Sequence, residues 1–432
     1  MSSAAFVAVV LFGSMIILFL LKVPIGFSLL LSSIIALVVC TDTPLQIIPQ
    51  RLFNSTDSFP FMAVPFFVLS GAIMSHGGIS QRLIAFCDSL IGHLPGGLGL
   101  VSVLACMFFA AISGSGAATT AAIGGIMIPQ MVERNYDKNF ASAINASGGT
   151  IGVIIPPSIP FVTYGVISGA SIGALFVAGV IPGILMGLSM MSVILITSKK
   201  RGFKSEKRAS GAEVWKSFKE AILAILLPVI ILGGIYSGLF SATEAAVVSV
   251  VYAFIVSKFI YKSINWKELV EVLKEAAVSS ASILLLIASA GVFGWILSNN
   301  NIPSMIAKAM LSLSSNKIVI LLLINLLLFI IGTFLDTVAA LIILVPILLP
   351  IATTLGVDPV HLGMIMCVNL AIGQITPPFG CCLFVACGVA SIKLEDIVKA
   401  IWPFIVGLII VVLLITFIPQ LSLFLPGLKA GL

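Results

Sequence analysis

The stretch IGVIIPPSIPF (Ile151–Phe161) is apolar enough for a bilayer interior, yet it holds three prolines, two of them adjacent. A similar stretch, IGQITPPFG (Ile372–Gly380), follows 221 residues later. A proline inside a helix removes a backbone hydrogen bond and clashes with the preceding turn, at a cost of about 3 kcal/mol. Two in tandem are too much for a simple kink. Each stretch lies midway along an apolar segment, so each span is expected to be two half-helices joined by an unwound link.

The remaining composition sets the environment. The chain has 432 residues, 60% hydrophobic and only 9% charged, with a mean hydropathy of +1.24. Soluble domains carry about 25% charged residues. A polytopic, all-α membrane protein is the class that fits. The N-terminal run MSSAAFVAVVLFGSMIILFLLK lacks a positive leader and a cleavage signal, and is expected to be the first span. The seven cysteines lie mostly in apolar runs without a CxxC pair or a His/Cys cluster, which suits small core residues better than metal ligands.

Apolar runs of spanning length begin near Ala4, Ile25, Ser58, Phe140, Ile172, Glu220, Thr243, Ala276, Leu362 and Val398. The segment KKRGFKSEKR (Lys199–Arg208) has six basic residues against one acidic, which assigns it to the cytoplasm. Threading from there puts the N-terminus outside. Arg51, Lys308, Lys317 and Lys429 then fall outside, and the other eighteen of the twenty-two Lys and Arg inside. The formal charge of +6 is thus a topological signal, and no nucleic-acid partner is implied.

The halves are weak copies. FFVLSGAIMSHGGI (Phe66–Ile79) aligns with the region Ser289–Ile302, setting Gly71 on Gly294 and Ser75 on Ser298; Pro182 falls on Pro403. All offsets are 221 to 223 residues, and the threading gives the copies opposite orientation. Inverted repeats of this kind are typical of secondary transporters. The expected units are a first repeat over 1–198, a basic cytoplasmic linker over 199–217, and a second repeat over 218–432.

Two further segments have apolar ends and a weak centre. In Leu98–Met131 the centre is Ser113-Gly-Ser-Gly116; in Lys317–Ile351 it lies near Gly332–Thr337. Flanks too short to span suggest re-entrant hairpins over about 98–131 and 317–351, with tips at mid-membrane. One long kinked helix instead would reverse the downstream topology and spoil the charge asymmetry. Each hairpin sits beside a broken helix, over about 140–168 and 362–388. Amphipathic segments Ile79–Leu94 and Ile302–Lys317 precede the hairpins as interfacial arms.

Unpaired backbone is tolerated within a bilayer only where protein or a wet cavity supplies partners. The exposed carbonyls and half-helix ends can hold a small cation or face an anion. Polar residues gather at the same depth: Asn145, Ser147, Gly148, Gly149 and Thr150 before the first break, and Asn369, Gly373, Gln374 and Thr376 around the second. A pair of packing kinks is the simpler alternative; two copies in registered repeats favour a ligand site. Asp336 and Glu244 are the two acidic residues within spans, and a central carboxylate costs about 2.5–3.5 kcal/mol. Asp336, at a hairpin tip, is a direct or indirect cation ligand or a brace. Glu244 is expected to serve the start of its helix. No P-loop, GxSxG or HExxH motif is present, so neither ATP binding nor enzymatic chemistry is expected.

The segments PFFVLSGAIMSHGGISQRLI, GHLPGGLG, SGSGAATTAAIG, IIPPSIPF, SATEAAVVSVVYA, GTFLD and NLAIGQITPPFG resemble the large membrane subunit of tripartite ATP-independent periplasmic (TRAP) transporters, from about Pro24 to Pro419. The resemblance implies an elevator-type, ion-transporter-like fold in a bacterial inner membrane. It implies sodium as coupling ion without a cofactor, a separate small membrane subunit, a periplasmic substrate-binding protein and a small carboxylate substrate. By motif, one sodium site involves Ser113, Ser115, Asn145 and Gly149, and another Gly332, Asp336, Asn369, Gly373 and Thr376. The substrate is implied near Ser115, Pro156, Pro157, Ser158 and Pro377. The chain departs from the family pattern at SATEAA, where a proline usually precedes the threonine, and at Cys381–Cys382. Other functions compatible with these residues are a stand-alone sodium/dicarboxylate symporter or ion antiporter, and a channel or scaffold with structural kinks.

Overall fold

A computed structural model of the chain describes residues 4–201, 208–313 and 316–430. Six residues of the basic segment, 202–207, lie outside the described residues, as does the side chain of Lys429. Every regular element among the described residues is helical, as a backbone in hydrocarbon requires, since a helix satisfies its own N–H and C=O groups. Seven helical segments are long and apolar enough to cross a membrane. They are Phe59–His76, Ile172–Lys199, Gly211–Tyr236, Ala242–Ile260, Trp266–Asn299, Thr337–Thr354 and Leu394–Phe417.

The chain opens with α1 (Ala4–Leu20), α2 (Ile25–Cys40), α3 (Ile47–Thr56), α4 (Ala63–His76) and the arm α5 (Ile79–Ile91). Next come α6 (Gly97–Ser113) and α7 (Gly116–Glu133), joined by the two residues Gly114 and Ser115. Gly114 has φ +62°, a conformation open to glycine without strain. The expected interruption at residues 113–116 is therefore a turn between two packed helices, not a kink. Then follow α8 (Lys138–Gly149), α9 (Ile159–Ser168) and α10 (Ile172–Arg201).

The second half has α11 (Gly211–Tyr236), α12 (Ala242–Ile255), α13 (Trp266–Asn299) and the arm α14 (Ile302–Leu313). It continues with α15 (Lys317–Gly332), α16 (Thr337–Thr354), α17 (Pro359–Gly373), α18 (Cys381–Ala390), α19 (Leu394–Phe417) and α20 (Gln420–Ala430). Helix α13 starts ten residues before the apolar run at Ala276. Asn265 caps it, with its side chain on the Glu268 N–H and Glu268 returning to the Asn265 N–H, so the polar first turns are helical too. Similarly, α10 and α11 extend into the expected linker, and Ser210 with Glu213 closes the capping box that starts α11.

Packing sorts the helices into two groups. In one, α4 lies along α12 and α13, and α2 and α3 along α13. The Thr243 hydroxyl donates to the Phe59 carbonyl at 2.9 Å, and the Ser263 hydroxyl to Gly77 at 2.7 Å, tying both ends of α4. In the other, α6–α10 pack among α15–α20. The arms touch both groups: α5 contacts α11 and α6, with the Ser89 and Ser217 hydroxyls 2.8 Å apart. Glu244 has the structural role expected of it. Its carboxylate accepts from the Ser241 N–H at 2.7 Å, and the Ser241 hydroxyl accepts from the Glu244 N–H at 3.2 Å.

Candidate functional site

Both tandem prolines fall between helices. Helix α8 ends at Gly149, a tight turn covers Thr150–Val153, and α9 begins at Ile159; α17 ends at Gly373 and α18 begins at Cys381. The Pro156–Pro157 and Pro377–Pro378 bonds are both cis. The freed backbone groups are taken up locally. The Ser158 hydroxyl donates to Val153 O at 2.6 Å and accepts from the Phe161 N–H at 3.3 Å, closing the first link and capping α9.

The return arm of each helix pair packs on the far half of the other broken helix: α7 on α18, and α16 on α9. This crossing gathers four helix N-termini, at Gly116, Ile159, Thr337 and Cys381. At the first tip, a Cβ on Gly114 would stand 2.8 Å from the Pro157 carbonyl, and a Cβ on Gly149 would strike the Thr120 hydroxyl. Ser113 and Thr119 hydroxyls meet at 2.8 Å, and Thr119 donates to Ser115 O at 2.8 Å. Ser115 caps α7 through the Ala118 N–H at 3.4 Å. The structure thus brings Ser113, Ser115, Gly149 and Pro157 together. Pro156, Pro157 and Ser158 are buried.

At the second tip, Gly332 and Gly373 touch backbone to backbone: a Cβ on Gly373 would collide with the Gly332 carbonyl group. Asp336 caps α16, its carboxylate accepting from the Val338 N–H at 2.9 Å. Pro378 and Phe379 are exposed, with Pro377 half-buried. Phe334 and Phe379 rings lie 5.6 Å apart on this side. The Thr376 hydroxyl donates to Ile372 O at 2.9 Å.

Asn145 and Asn369 stand about one turn below the tips and brace the outgoing arms. Asn145 accepts from the Ser102 hydroxyl at 2.8 Å and donates to Ala141 O at 2.9 Å. Asn369 donates to Asn325 Oδ1 at 2.6 Å and to Ile365 O at 2.9 Å, and Thr416 donates to the same Asn325 oxygen at 3.2 Å. Ser102, Asn325 and Thr416 were not singled out from sequence. The lone Asn325 within LLLINLLLFIIG was the available signal, since a buried amide in an apolar run needs a partner. Gln374, noted only as a polar neighbour of the break, donates to the Thr337 hydroxyl at 2.8 Å.

A cavity of about 220 Å³ opens beside the first tip, lined by Ser113, Ser115 and Ile159 from one packing group and by Gly71, Ser75, His76, Glu275 and Ser279 from the other. His76 and Glu275 approach to 3.8 Å. Drug-sized ligands occupy ~300–1,000 Å³, so this volume has room only for a smaller molecule. A larger cavity, about 660 Å³, lies between the α9–α10 and α11–α12 connections and is lined by no charged residue. No group of three His, Cys, Asp or Glu able to hold a metal occurs among the described residues. The polar groups at the tips are instead hydroxyl, carboxylate and backbone carbonyl oxygens. Six of the seven cysteines are buried, and all are free thiols.

The family model for the DctM component of tripartite ATP-independent periplasmic transporters matches residues 12–421. The chain is 47% identical over 419 residues to the isethionate TRAP transporter permease protein DctMQ of Oleidesulfovibrio alaskensis, covering 97% of this chain and 66% of that protein. It is 41% identical to the sialic acid TRAP transporter large permease protein SiaM of Vibrio cholerae, covering 94% and 96%. It is 36% identical to the C4-dicarboxylate TRAP transporter large permease protein DctM of Rhodobacter capsulatus, covering 98% and 99%. The fold is also that of the Alcanivorax borkumensis YdaH transporter (TM-score 0.61, 15% identity, covering 88% and 90%). It is likewise similar to MtrF of Neisseria gonorrhoeae (TM-score 0.57, 14% identity, covering 87% and 84%).

Proposed function

The chain belongs to the DctM component family of tripartite ATP-independent periplasmic transporters, a membrane permease family and not a family of enzymes, and from that premise we propose that it is a sodium-coupled importer of a small organic acid. The observation that carries the reading is the crossing of the two helix pairs with the two broken helices. Each helix N-terminus carries roughly half a positive charge, and four of them gather where Ser113, Ser115, Asp336 and Thr376 supply oxygens. Helix dipoles and hydroxyls then hold the acid, and carboxylate, hydroxyl and carbonyl oxygens hold sodium, without a buried arginine. The relatives named for isethionate, sialic acid and C4-dicarboxylates support an acid of either carboxylate or sulfonate type.

In this reading residues 1–198 and 218–432 are inverted repeats. Supporting this, the helix starts at 97, 116, 138, 159 and 172 recur at 317, 337, 359, 381 and 394, offset by 220 to 222. Both helix pairs are re-entrant, and the group containing them moves as an elevator against the group built on α4, α12 and α13, with α5 and α14 as connecting arms. The distribution of Lys and Arg supports a periplasmic N-terminus in a bacterial inner membrane. A small membrane subunit and a periplasmic binding protein complete the system, as the family name implies.

The test is uptake into proteoliposomes holding the chain and its small subunit, with the cognate binding protein outside. Replacing external sodium by potassium or choline should abolish uptake. Undiminished flux without sodium refutes coupling; sodium-dependent uptake without the binding protein refutes the tripartite arrangement alone.

A further inference from the structure

Gln374 follows the last residue of α17, and its side chain is 4% exposed. A primary amide offers two donors and an acceptor with two lone pairs, and burying it unpartnered is costly. Here the partners come from different parts of the chain. The amide nitrogen donates to the hydroxyl of Thr337, the first residue of α16, at 2.8 Å. The amide oxygen accepts from the thiol of Cys382, the second residue of α18, at 3.3 Å. That oxygen also lies against Gly116, the first residue of α7, where any Cβ would strike it. The Gln374 backbone joins the arrangement, its carbonyl accepting from the Cys382 N–H at 3.0 Å. One side chain therefore touches the start of three of the four helices that meet at the crossing, including one from each hairpin.

The first half has nothing equivalent. At the offset of 221 that aligns the two proline stretches, Gln374 falls on the apolar Val153, and counted from the last helical residues, Gly149 and Gly373, it falls on Thr150. The Thr150 hydroxyl closes on its own helix, donating to Ser147 O at 2.7 Å. The bridge between the halves is one-sided. Thr337 adjoins Asp336, and Gly116 adjoins Ser115, so an adjustment of the second tip around a cation reaches the first tip through the Gln374 amide. Gly116 permits this close approach, since a Cβ there would overlap the Gln374 amide oxygen.

We propose that Gln374 is a positioning residue that couples the two hairpin tips, so that cation occupancy at one sets the geometry of the other. The proposal rests on the sodium-transport reading given above. Its test is hydrogen exchange of the full-length protein in detergent, with NaCl titrated against KCl at constant ionic strength. The readout is exchange at residues 113–120 and, separately, at 333–340. In the wild type, sodium should slow exchange at both tips with a common midpoint. Gln374→Met keeps the bulk and removes the amide, and Thr337→Val removes its acceptor. In each variant the two midpoints should separate at least threefold, and the double variant should separate them no further, since both remove one link.

Coincident midpoints in both single variants overturn the proposal, as does a separation already present in the wild type. Loss of protection throughout the chain in both variants also overturns it, leaving Gln374 a plain structural residue. Sodium protecting neither tip of the wild type would instead remove the transport reading on which the proposal stands.

Discussion

Gly373→Ala is the most direct perturbation of the second tip. A Cβ at Gly373 would lie closer than 3.0 Å to the Gly332 Cα, carbonyl carbon and oxygen, all backbone atoms that cannot rotate away. Helices α15 and α17 must separate to admit it, and overpacking of this kind costs about 1–3 kcal/mol. The reciprocal change is milder. A Cβ at Gly332 would meet Gly373 Cα and Leu370 Cα at 3.3 Å, which a shift of a few tenths of an ångström relieves; about 1 kcal/mol or less is expected. Gly388, inside α18, has nothing within 4 Å, and Gly388→Ala should stabilise by up to about 1 kcal/mol through helix propensity. Thermal denaturation of the purified chain should thus rank Gly388→Ala above wild type, then Gly332→Ala, then Gly373→Ala. If the strain also opposes cation binding, the sodium concentration for half-maximal stabilisation rises by about 5- to 150-fold in Gly373→Ala. Wild-type stability and sodium response in Gly373→Ala would show that this backbone approach does not shape the tip.

Asp336 combines a cap with a proposed ligand, and two substitutions separate these. Asp336→Asn keeps an acceptor for the Val338 N–H and should hold stability while weakening sodium-dependent uptake; Asp336→Ala should lose both, the cap being worth about 1 kcal/mol. Thr376→Val should weaken sodium-dependent uptake with expression intact, and full activity in both Asp336→Ala and Thr376→Val would count against these residues as sodium ligands. Asn325→Leu removes the acceptor shared by Asn369 and Thr416, and polar pairs between membrane helices average about 0.6 kcal/mol. A loss of roughly 1 kcal/mol in denaturation is expected, whereas no loss would mean the amide network is energetically idle. Glu244→Ala breaks an exposed capping box, so a small drop in melting temperature with unchanged sodium half-saturation is expected; a change in sodium response would give Glu244 a role beyond capping.

Much of the fold was legible because its signals are local. Proline pairs at Pro156–Pro157 and Pro377–Pro378 cannot continue a helix, and the glycine-serine run Ser113–Gly116 cannot stay inside one. Their positions follow from backbone sterics, whatever packs nearby. The polar starts of α11 and α13 were missed because hydropathy marks where a span is apolar, while the helix starts at its cap, at Ser210 and Asn265.

The site was legible only in part. Asp336, Ser115, Gly149 and Gly373 stood out as unusual residues in apolar runs, and each lies at a helix end: Ser115 and Asp336 cap α7 and α16, and Gly149 and Gly373 close α8 and α17. Asn145 and Asn369 stood out equally, yet each has its amide engaged with the outgoing arm of its own helix pair. Gln374 was visible as a polar residue with no sign of its reach. By itself the sequence determined the class of the protein, the two breaks, the two turns and the family, since these depend on composition and short-range chain stiffness. Only the tertiary structure decided which helix crosses which, and hence that α7 meets α18, α16 meets α9, and one glutamine bridges both tips. Contacts between helices so far apart in the chain depend on how helix surfaces fit together, and no single stretch of sequence carries that.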